Sequence, residues 1–140
     1  MTFKAFGLGL AVASVATLSM AKPMTYTIDP THTATVFTWD HFGFSTPSGN
    51  FTDIQGKITV DNDKPEKSSV HVTIPLSSIN TNVKVLDDHL LKADFFDAEK
   101  YPTITFKSTK VETRDKKNYK ITGDLTIKGI TKPVVLDAVL

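Results

Sequence analysis

The sequence has 140 residues, no cysteine, and 16 basic against 15 acidic side chains, which gives a formal net charge of +1. A chain of this length is typical of a single domain with one hydrophobic core. The balanced charge argues against nucleic acid or an anionic membrane as the main partner, and the lack of cysteine excludes disulfides and thiol chemistry.

Residues 1–21 have the features of a secretory signal peptide. Lys4 supplies a positive charge, Phe6 to Leu18 form an apolar stretch, and Ser19-Met20-Ala21 place small residues at a cleavage site. The apolar stretch is too short for a membrane span, and no later segment is apolar enough, so we do not expect an integral membrane protein. We predict export to a bacterial periplasm and a mature domain of residues 22–140, since an exported domain without disulfides depends on its core alone.

Several later segments alternate apolar and polar side chains with a period of two, the pattern of a strand with one buried face. The first are TATVFTWDHFGF (33–44) and FTDIQGKITVD (51–61), separated by the turn signal STPSGN. The alternation is clearest further along the chain, where the apolar sides carry Val70, Val72 and Ile74, then Ile104 and Phe106, then Tyr119, Ile121, Leu125 and Ile127. Turn-forming clusters at DNDKPEKS, TRDKKN and KGITKP predict successive hairpins.

One segment, TNVKVLDDHLLKADFF (81–96), departs from the strand pattern. A Thr or Asn cap, two early aspartates and an apolar side formed by Val85, Leu86, His89 and Leu90 predict a short amphipathic helix. Strands in meander order with one inserted helix predict an all-β fold, either a barrel or a curled sheet. The final segment, KPVVLDAVL, has the pattern of a strand with no turn after it, so we expect a barrel that is incomplete at its C-terminus.

Two adjacent phenylalanines, Phe95 and Phe96, follow the predicted helix. Neighbouring residues of an extended segment point to opposite sides. We therefore expect one ring over the barrel interior and the other in the seam between helix and barrel. The bland alternative is that both rings only fix the helix, and the sequence leaves open which of the two faces inward.

Five stretches in this order carry a resemblance to a known family: YTIDPTHTATVFTWDHFGFS, GNFTDIQGKITVD, SVHVTIPLSSINTN, DDHLLKADFFDAEKYPTITFKSTKV and YKITGDLTIKGITKPVVLDAVL. From about Tyr26 to Leu140 the chain resembles the YceI-like family of bacterial periplasmic proteins. The resemblance implies a lipocalin-like antiparallel β-barrel and a long isoprenoid-type lipid, a polyprenyl chain or a quinone tail, bound in its lumen. It also implies arginines at two positions that here hold Leu86 and Leu91, which favours an uncharged head group or a ligand held by its tail.

The resemblance and the alternation together give a set of candidate ligand-binding residues: Phe37, Trp39, His41, Val72, Ile74, Phe95, Phe96, Ile104 and Phe106. Alternation alone is equally typical of a filled core. We expect a periplasmic carrier or reservoir for an amphipathic long-chain lipid. A solid barrel that binds through its surface is one alternative, and a homodimer stays open.

The polar residues do not form a recognisable catalytic or metal site. The histidines lie on separate elements without metal-ligand spacing, and no nucleophile motif or phosphate loop is present. We predict no catalytic residue, no metal and no cofactor other than a bound isoprenoid or quinone-like lipid. The remaining alternative is an enzyme acting on such a lipid, with His41 or His89 as the acid–base group. If there is no catalysis, we expect His41 on one strand face with Phe37 and Trp39. We expect His89 to pack against its helix neighbours and to form a hydrogen bond with the backbone.

Overall fold

The computed structural model describes residues 22–140, so the predicted signal peptide lies outside the described part of the chain. These residues form nine strands, one α-helix and two short 3-10 helices. The strands are β1 (Met24–Thr27), β2 (Thr35–Thr38), β3 (Ser48–Phe51), β4 (Gln55–Val60), β5 (Ser69–Pro75), β6 (Ile79–Asn80), β7 (Thr103–Thr113), β8 (Asn118–Ile127) and β9 (Ile130–Val139), and the helix is α1 (Lys84–Leu90). The predicted all-β fold with one short inserted helix is confirmed.

Six strands form one antiparallel sheet in the order β1-β4-β5-β7-β8-β9. The tightest connection joins β8 to β9 through Lys128 and Gly129, which have φ angles of 50° and 72°. Positive φ at both central residues is characteristic of a type I′ turn, one of the two common two-residue hairpin turns. Strands β1 and β9 are the edges, and among residues 22–140 no further strand pairs with either edge, so the sheet is open rather than closed into a barrel.

The other three strands form a small antiparallel sheet in the order β2-β3-β6. This small sheet and the segment that contains α1 pack over one end of the large sheet. The contact is a cluster of four buried side chains, Phe51, Leu76, Ile79 and Ile104, surrounded by the partly buried Phe37, Ile74, Leu90, Leu91, Phe96, Ala98, Leu125 and Ile127. We call this set the core cluster; Leu76 at its centre is completely buried.

Two local expectations were wrong in detail. The strand predicted over 33–44 ends at Thr38, and a turn over residues 41–45 replaces its second half. Helix α1 has Val83 as its N-cap residue, without a side-chain cap hydrogen bond. Instead, Asp87 Oδ1 accepts hydrogen bonds from Thr81 N at 2.8 Å and Thr81 Oγ1 at 2.6 Å, which fixes the entry to the helix from its first turn.

Candidate functional site

One face of the large sheet is predominantly apolar. Opposed residues in antiparallel strands point to the same face, so the register identifies its members directly. Val72 lies opposite Phe106, Ile74 opposite Ile104, and Ile121 opposite Leu136. The apolar face consists of Met24, Tyr26, Ile58, Val60, Val70, Val72, Ile74, Ile104, Phe106, Val111, Tyr119, Ile121, Leu125, Ile127, Ile130, Val134, Leu136 and Ala138. Among residues 22–140, Lys132 on β9, opposite Leu125, is the one charged residue that the register places on this face.

The opposite face of the same sheet is polar. His71 lies opposite Lys107 there, and Lys120 binds Asp137 across β8 and β9 with an Nζ–Oδ1 distance of 2.8 Å. The alternation read from the sequence in β5, β7 and β8 is therefore confirmed. The contrast between the faces means that any apolar ligand of the sheet binds on one side only.

The apolar face is covered unevenly. At one end the core cluster buries it, and in the centre Phe106 is only 6% exposed. Towards the edge strands the cover is lost, because Tyr26 on β1 is 50% exposed, Ile58 on β4 is 36% exposed and Leu136 on β9 is 44% exposed. These residues were missed as candidates from the sequence, although Met24/Tyr26 and Val134/Leu136 alternate in the same way as the strands that were recognised.

A cavity of about 780 Å³ opens at the turn between β7 and β8, at the end of the large sheet away from the core cluster. Tyr119 and Ala138 of the apolar face contribute to its wall, and charged residues of the turn and strand ends form its rim. The rim includes Asp115, whose pKa is lowered to about 2, chiefly by the hydrogen bond from the backbone N–H of Asn118. The volume is within the range of small-molecule sites, 300–1,000 Å³.

Phe37 and Trp39 form an aromatic row on the small sheet. Their ring centroids are 5.9 Å apart, and Phe37 lies 5.5 Å from the ring of Phe51 in the core cluster. Phe37 also covers Gly49 on β3: a Cβ atom built at that glycine would lie 2.5 Å from the Phe37 ring. The predicted common orientation of Phe37 and Trp39 is thus present, and the row adjoins the covered end of the apolar face.

The ring of Phe106 covers a glycine on the large sheet, as Phe37 covers Gly49 on the small sheet. A Cβ atom built at Gly123 would lie 2.5 Å from the Phe106 ring and 2.6 Å from the backbone oxygen of Lys107. The ring therefore lies over Gly123 on β8, near the centre of the apolar face. Only glycine permits this approach.

The two adjacent phenylalanines have different environments. Phe96 belongs to the core cluster, whereas Phe95 is 46% exposed and packs edge-to-face on His89 with centroids 4.9 Å apart. The segment that carries them is fixed to the β8–β9 turn, because Lys128 Nζ donates to the carbonyl oxygen of Ala93 at 2.8 Å. Of the pair, Phe96 is therefore the ring that faces the interior.

The structure contradicts both expectations for the histidines. His41 is not on a strand face with Phe37 and Trp39, because β2 ends at Thr38. Its side chain is exposed in a turn, where the backbone N–H of His41 donates to the backbone oxygen of Ser45 at 2.9 Å. His89 is exposed rather than packed against helix neighbours, and its partner is a side chain, with Nε2 3.0 Å from Asp94 Oδ2. This hydrogen bond lowers the pKa of the Asp94 carboxyl below its ordinary value.

The structure thus brings Phe37, Ile74, Phe96 and Ile104 together in the core cluster, with Val72 and Phe106 beside them on the apolar face and Trp39 stacked on Phe37. His41 and Phe95 lie outside this group. Leu91, at one of the two positions where the family resemblance implies arginine, packs against the core cluster, and Leu86 is half-buried. Within residues 22–140 no set of three or more His, Cys, Asp or Glu side chains converges on a point that could hold a metal ion, and no helix there has the length and hydropathy of a membrane span.

The chain matches the YceI-like domain over residues 26–140. It is 42% identical over 136 residues to a UPF0312 protein of Photorhabdus laumondii, a match that covers 95% of this chain and 70% of the relative. It is also 42% identical to Protein YceI of Escherichia coli, where the match covers 95% of this chain and 71% of the relative.

Solved structures of three bacterial proteins have a similar fold. BcnA of Burkholderia cenocepacia superposes with a TM-score of 0.68 at 27% identity, over 74% of this chain and 64% of BcnA. The YCEI protein of Campylobacter jejuni gives a TM-score of 0.64 at 40% identity, over 81% of this chain and 67% of that protein. A polyisoprenoid binding domain of Saccharophagus degradans gives a TM-score of 0.55 at 12% identity, over 74% of this chain and 59% of that domain. At this identity the similarity is one of fold alone. The chain therefore spans somewhat less than two thirds of the length of BcnA.

Proposed function

The chain belongs to the YceI-like family, and on this premise we propose that it binds a long-chain isoprenoid-type lipid, a polyprenyl chain or a quinone tail, against the apolar face of the large sheet. The observation that carries the proposal is that apolar side chains of all six strands share this face, with Lys132 on β9 as its one charged member. The face is nevertheless uncovered towards its edges, at Tyr26, Ile58 and Leu136. A lipid tail laid over these side chains removes their apolar surface from water.

Burial of apolar surface suffices for such a ligand. Each Å² of apolar surface removed from water contributes about 25 cal/mol, so a tail that covers a few hundred Å² needs few polar contacts. The tail would run along the face from the core cluster towards the cavity at the β7–β8 turn, where Tyr119 and Ala138 continue the apolar wall. The core cluster would form the closed end of the site.

The head group is proposed to be uncharged. Leu86 and Leu91 are at the positions where the family resemblance implies arginines, and Leu91 packs in the core cluster. At the cavity rim Lys120 is already paired with Asp137, and Asp115 accepts hydrogen bonds within its own turn. Among the residues that line the cavity, Arg114 is the single cation outside an ion pair. A hydroxyl or quinone head is compatible with these neighbours, whereas a pyrophosphate would meet one cation instead of the two arginines that the resemblance implies.

In the cell the chain is proposed to act as a periplasmic carrier or reservoir without catalysis. The solved domain from Saccharophagus degradans is described as polyisoprenoid binding, and its likeness to this chain supports the fold on which the proposal depends. Both histidines considered as acid–base groups are exposed, and neither belongs to a strand of the large sheet. A turnover of bound lipid that disappears in His41→Ala or His89→Ala would favour an enzyme instead.

Native mass spectrometry tests the proposal. The chain is purified from a bacterial host without detergent, and its bound material is extracted into organic solvent and identified. We expect a mass adduct that matches an extracted isoprenoid, and expect delipidated protein to take up added polyprenol. An unliganded chain that takes up neither polyprenol nor a long-tailed quinone would contradict the proposal and favour a solid interior.

A further inference from the structure

The turn between β2 and β3 presents two phenylalanines to solvent. We call residues 41–45, with the sequence HFGFS, the hairpin tip. Phe42 is 83% exposed and Phe44 is 91% exposed, the two highest values among the large exposed hydrophobic side chains of residues 22–140. The two residues are separated by one glycine in a single turn, and exposed apolar side chains concentrated at one place mark an interaction site more often than singly scattered ones do.

The hairpin tip holds these rings outward in a defined conformation. Gly43 N donates to Asp40 Oδ1 at 3.0 Å, and Phe44 N donates to His41 O at 3.1 Å. Phe42 adopts a φ of 55°, a left-handed conformation that is unfavourable for a bulky residue. Backbone strain that the surrounding hydrogen bonds maintain is found most often at functional sites.

The charge of the surroundings indicates the class of partner. From His41 to Gly49 the chain contains no Lys, Arg, Asp or Glu, and it offers the exposed hydroxyl groups of Ser45, Thr46 and Ser48. An uncharged apolar tip with neighbouring hydroxyl groups is suited to the interface of a zwitterionic bilayer, where rings enter the acyl boundary and hydroxyls bond to head groups. It has no cation with which to select an anionic surface, and the carboxylate of the neighbouring Asp40, which accepts from Gly43 N, disfavours one.

The area of the hairpin tip argues against a protein partner. Two phenylalanine side chains bury roughly 150–250 Å² each, well below the roughly 800 Å² per partner of a stable protein–protein interface. Insertion into a bilayer requires no matching surface, so two rings suffice for reversible docking. We propose that the hairpin tip docks this protein on the surface of a zwitterionic phospholipid bilayer, with Phe42 and Phe44 as the inserted side chains.

This inference goes beyond the proposed function, because bilayer docking and isoprenoid binding involve different residues and can fail separately. The test is flotation of the full chain with vesicles of pure phosphatidylcholine that contain no isoprenoid. We expect the chain to float with the vesicles, and expect Phe42→Ser and Phe44→Ser each to weaken partitioning roughly tenfold to hundredfold, the effect of leaving one ring in water. Partitioning should be unchanged when salt is raised, since the hairpin tip is uncharged.

Two control variants sharpen the test. Val36→Ser removes an apolar side chain that is 73% exposed on β2 of the same hairpin, and it should leave flotation unchanged. Phe42→Leu keeps the apolar surface and should retain most of the binding. The inference is overturned if the wild-type chain does not float, if Val36→Ser matches the loss seen in Phe44→Ser, or if sedimentation velocity shows that Phe44→Ser dissociates a dimer, because the hairpin tip would then join two copies of the chain.

Discussion

The two neighbours Leu136 and Val135 on β9 allow a matched comparison of the two faces of the sheet. Leu136 lies opposite Ile121 on the apolar face, and Val135 lies opposite Thr122 on the polar face. Their exposures are 44% and 57%, so neither side chain is needed to fill the core. We predict that Leu136→Ser weakens isoprenoid binding and that Val135→Ser does not.

The magnitude follows from the exposed fraction of Leu136. Complete burial of a leucine side chain contributes about 1.5–3 kcal/mol, and the 44% that remains exposed leaves about 0.7–1.3 kcal/mol to be gained when a lipid tail covers it. This corresponds to a roughly threefold to ninefold rise in Kd for Leu136→Ser. Titration calorimetry with a short-chain prenol measures the affinity, and urea denaturation checks that both variants keep their stability. Equal losses in Leu136→Ser and Val135→Ser would refute one-sided binding.

Further predictions concern the core, the glycines and acid stability. Leu76→Ala should lower the free energy of unfolding by about 2–5 kcal/mol, because Leu76 is fully buried; an unchanged urea midpoint would contradict this assignment. Gly123→Ala should destabilise the chain more than Gly49→Ala, since the new Cβ would lie 2.6 Å from a backbone oxygen, whereas at Gly49 its near neighbours are atoms of a movable ring; the reverse order in urea denaturation would disprove it. The carboxyl of Asp115 should titrate near 2 in carbon NMR because Asn118 donates to its charged form, so its stabilising effect is present above its ordinary pKa of 3.8 and is lost as pH falls towards 2; a midpoint near 3.8 would exclude these bonds.

The alternation of side chains was a good guide to the faces of β5, β8 and the first half of β7, up to the register shift between Ser108 and Lys110. Val72, Ile74, Ile104 and Phe106 were placed on one side from the sequence, and the register pairs them directly across β5 and β7. This worked because a strand has a fixed period of two and because the turns before β5 and after β7 have strong turn-forming residues. The helix was located from the sequence because the spacing of apolar residues changes near residue 84 from the period of a strand to that of a helix.

The parts of the site that depend on tertiary contacts could not be predicted in this way. His41 was expected to continue the face of Phe37, but a turn with positive φ at Phe42 and Gly43 ends the alternation. Asp40 and Gly43 were the turn-forming residues that indicated it, inside a run that is otherwise β-branched and aromatic. His89 was expected inside, and its side chain instead bonds to Asp94 beyond the end of the helix. Which of two adjacent phenylalanines faces inward depends on the path of the loop, and such a path has no period.

The most direct test of the account is to map where an isoprenoid tail lies on the protein. A polyprenyl analogue with a photoreactive diazirine in its tail is bound to the chain, irradiated, and located by peptide mass spectrometry. The account predicts covalent labels on the uncovered part of the apolar face, at Tyr26, Ile58 and Leu136. Labels confined to the polar face, around His71 and Lys107, or an even distribution over the surface would contradict it.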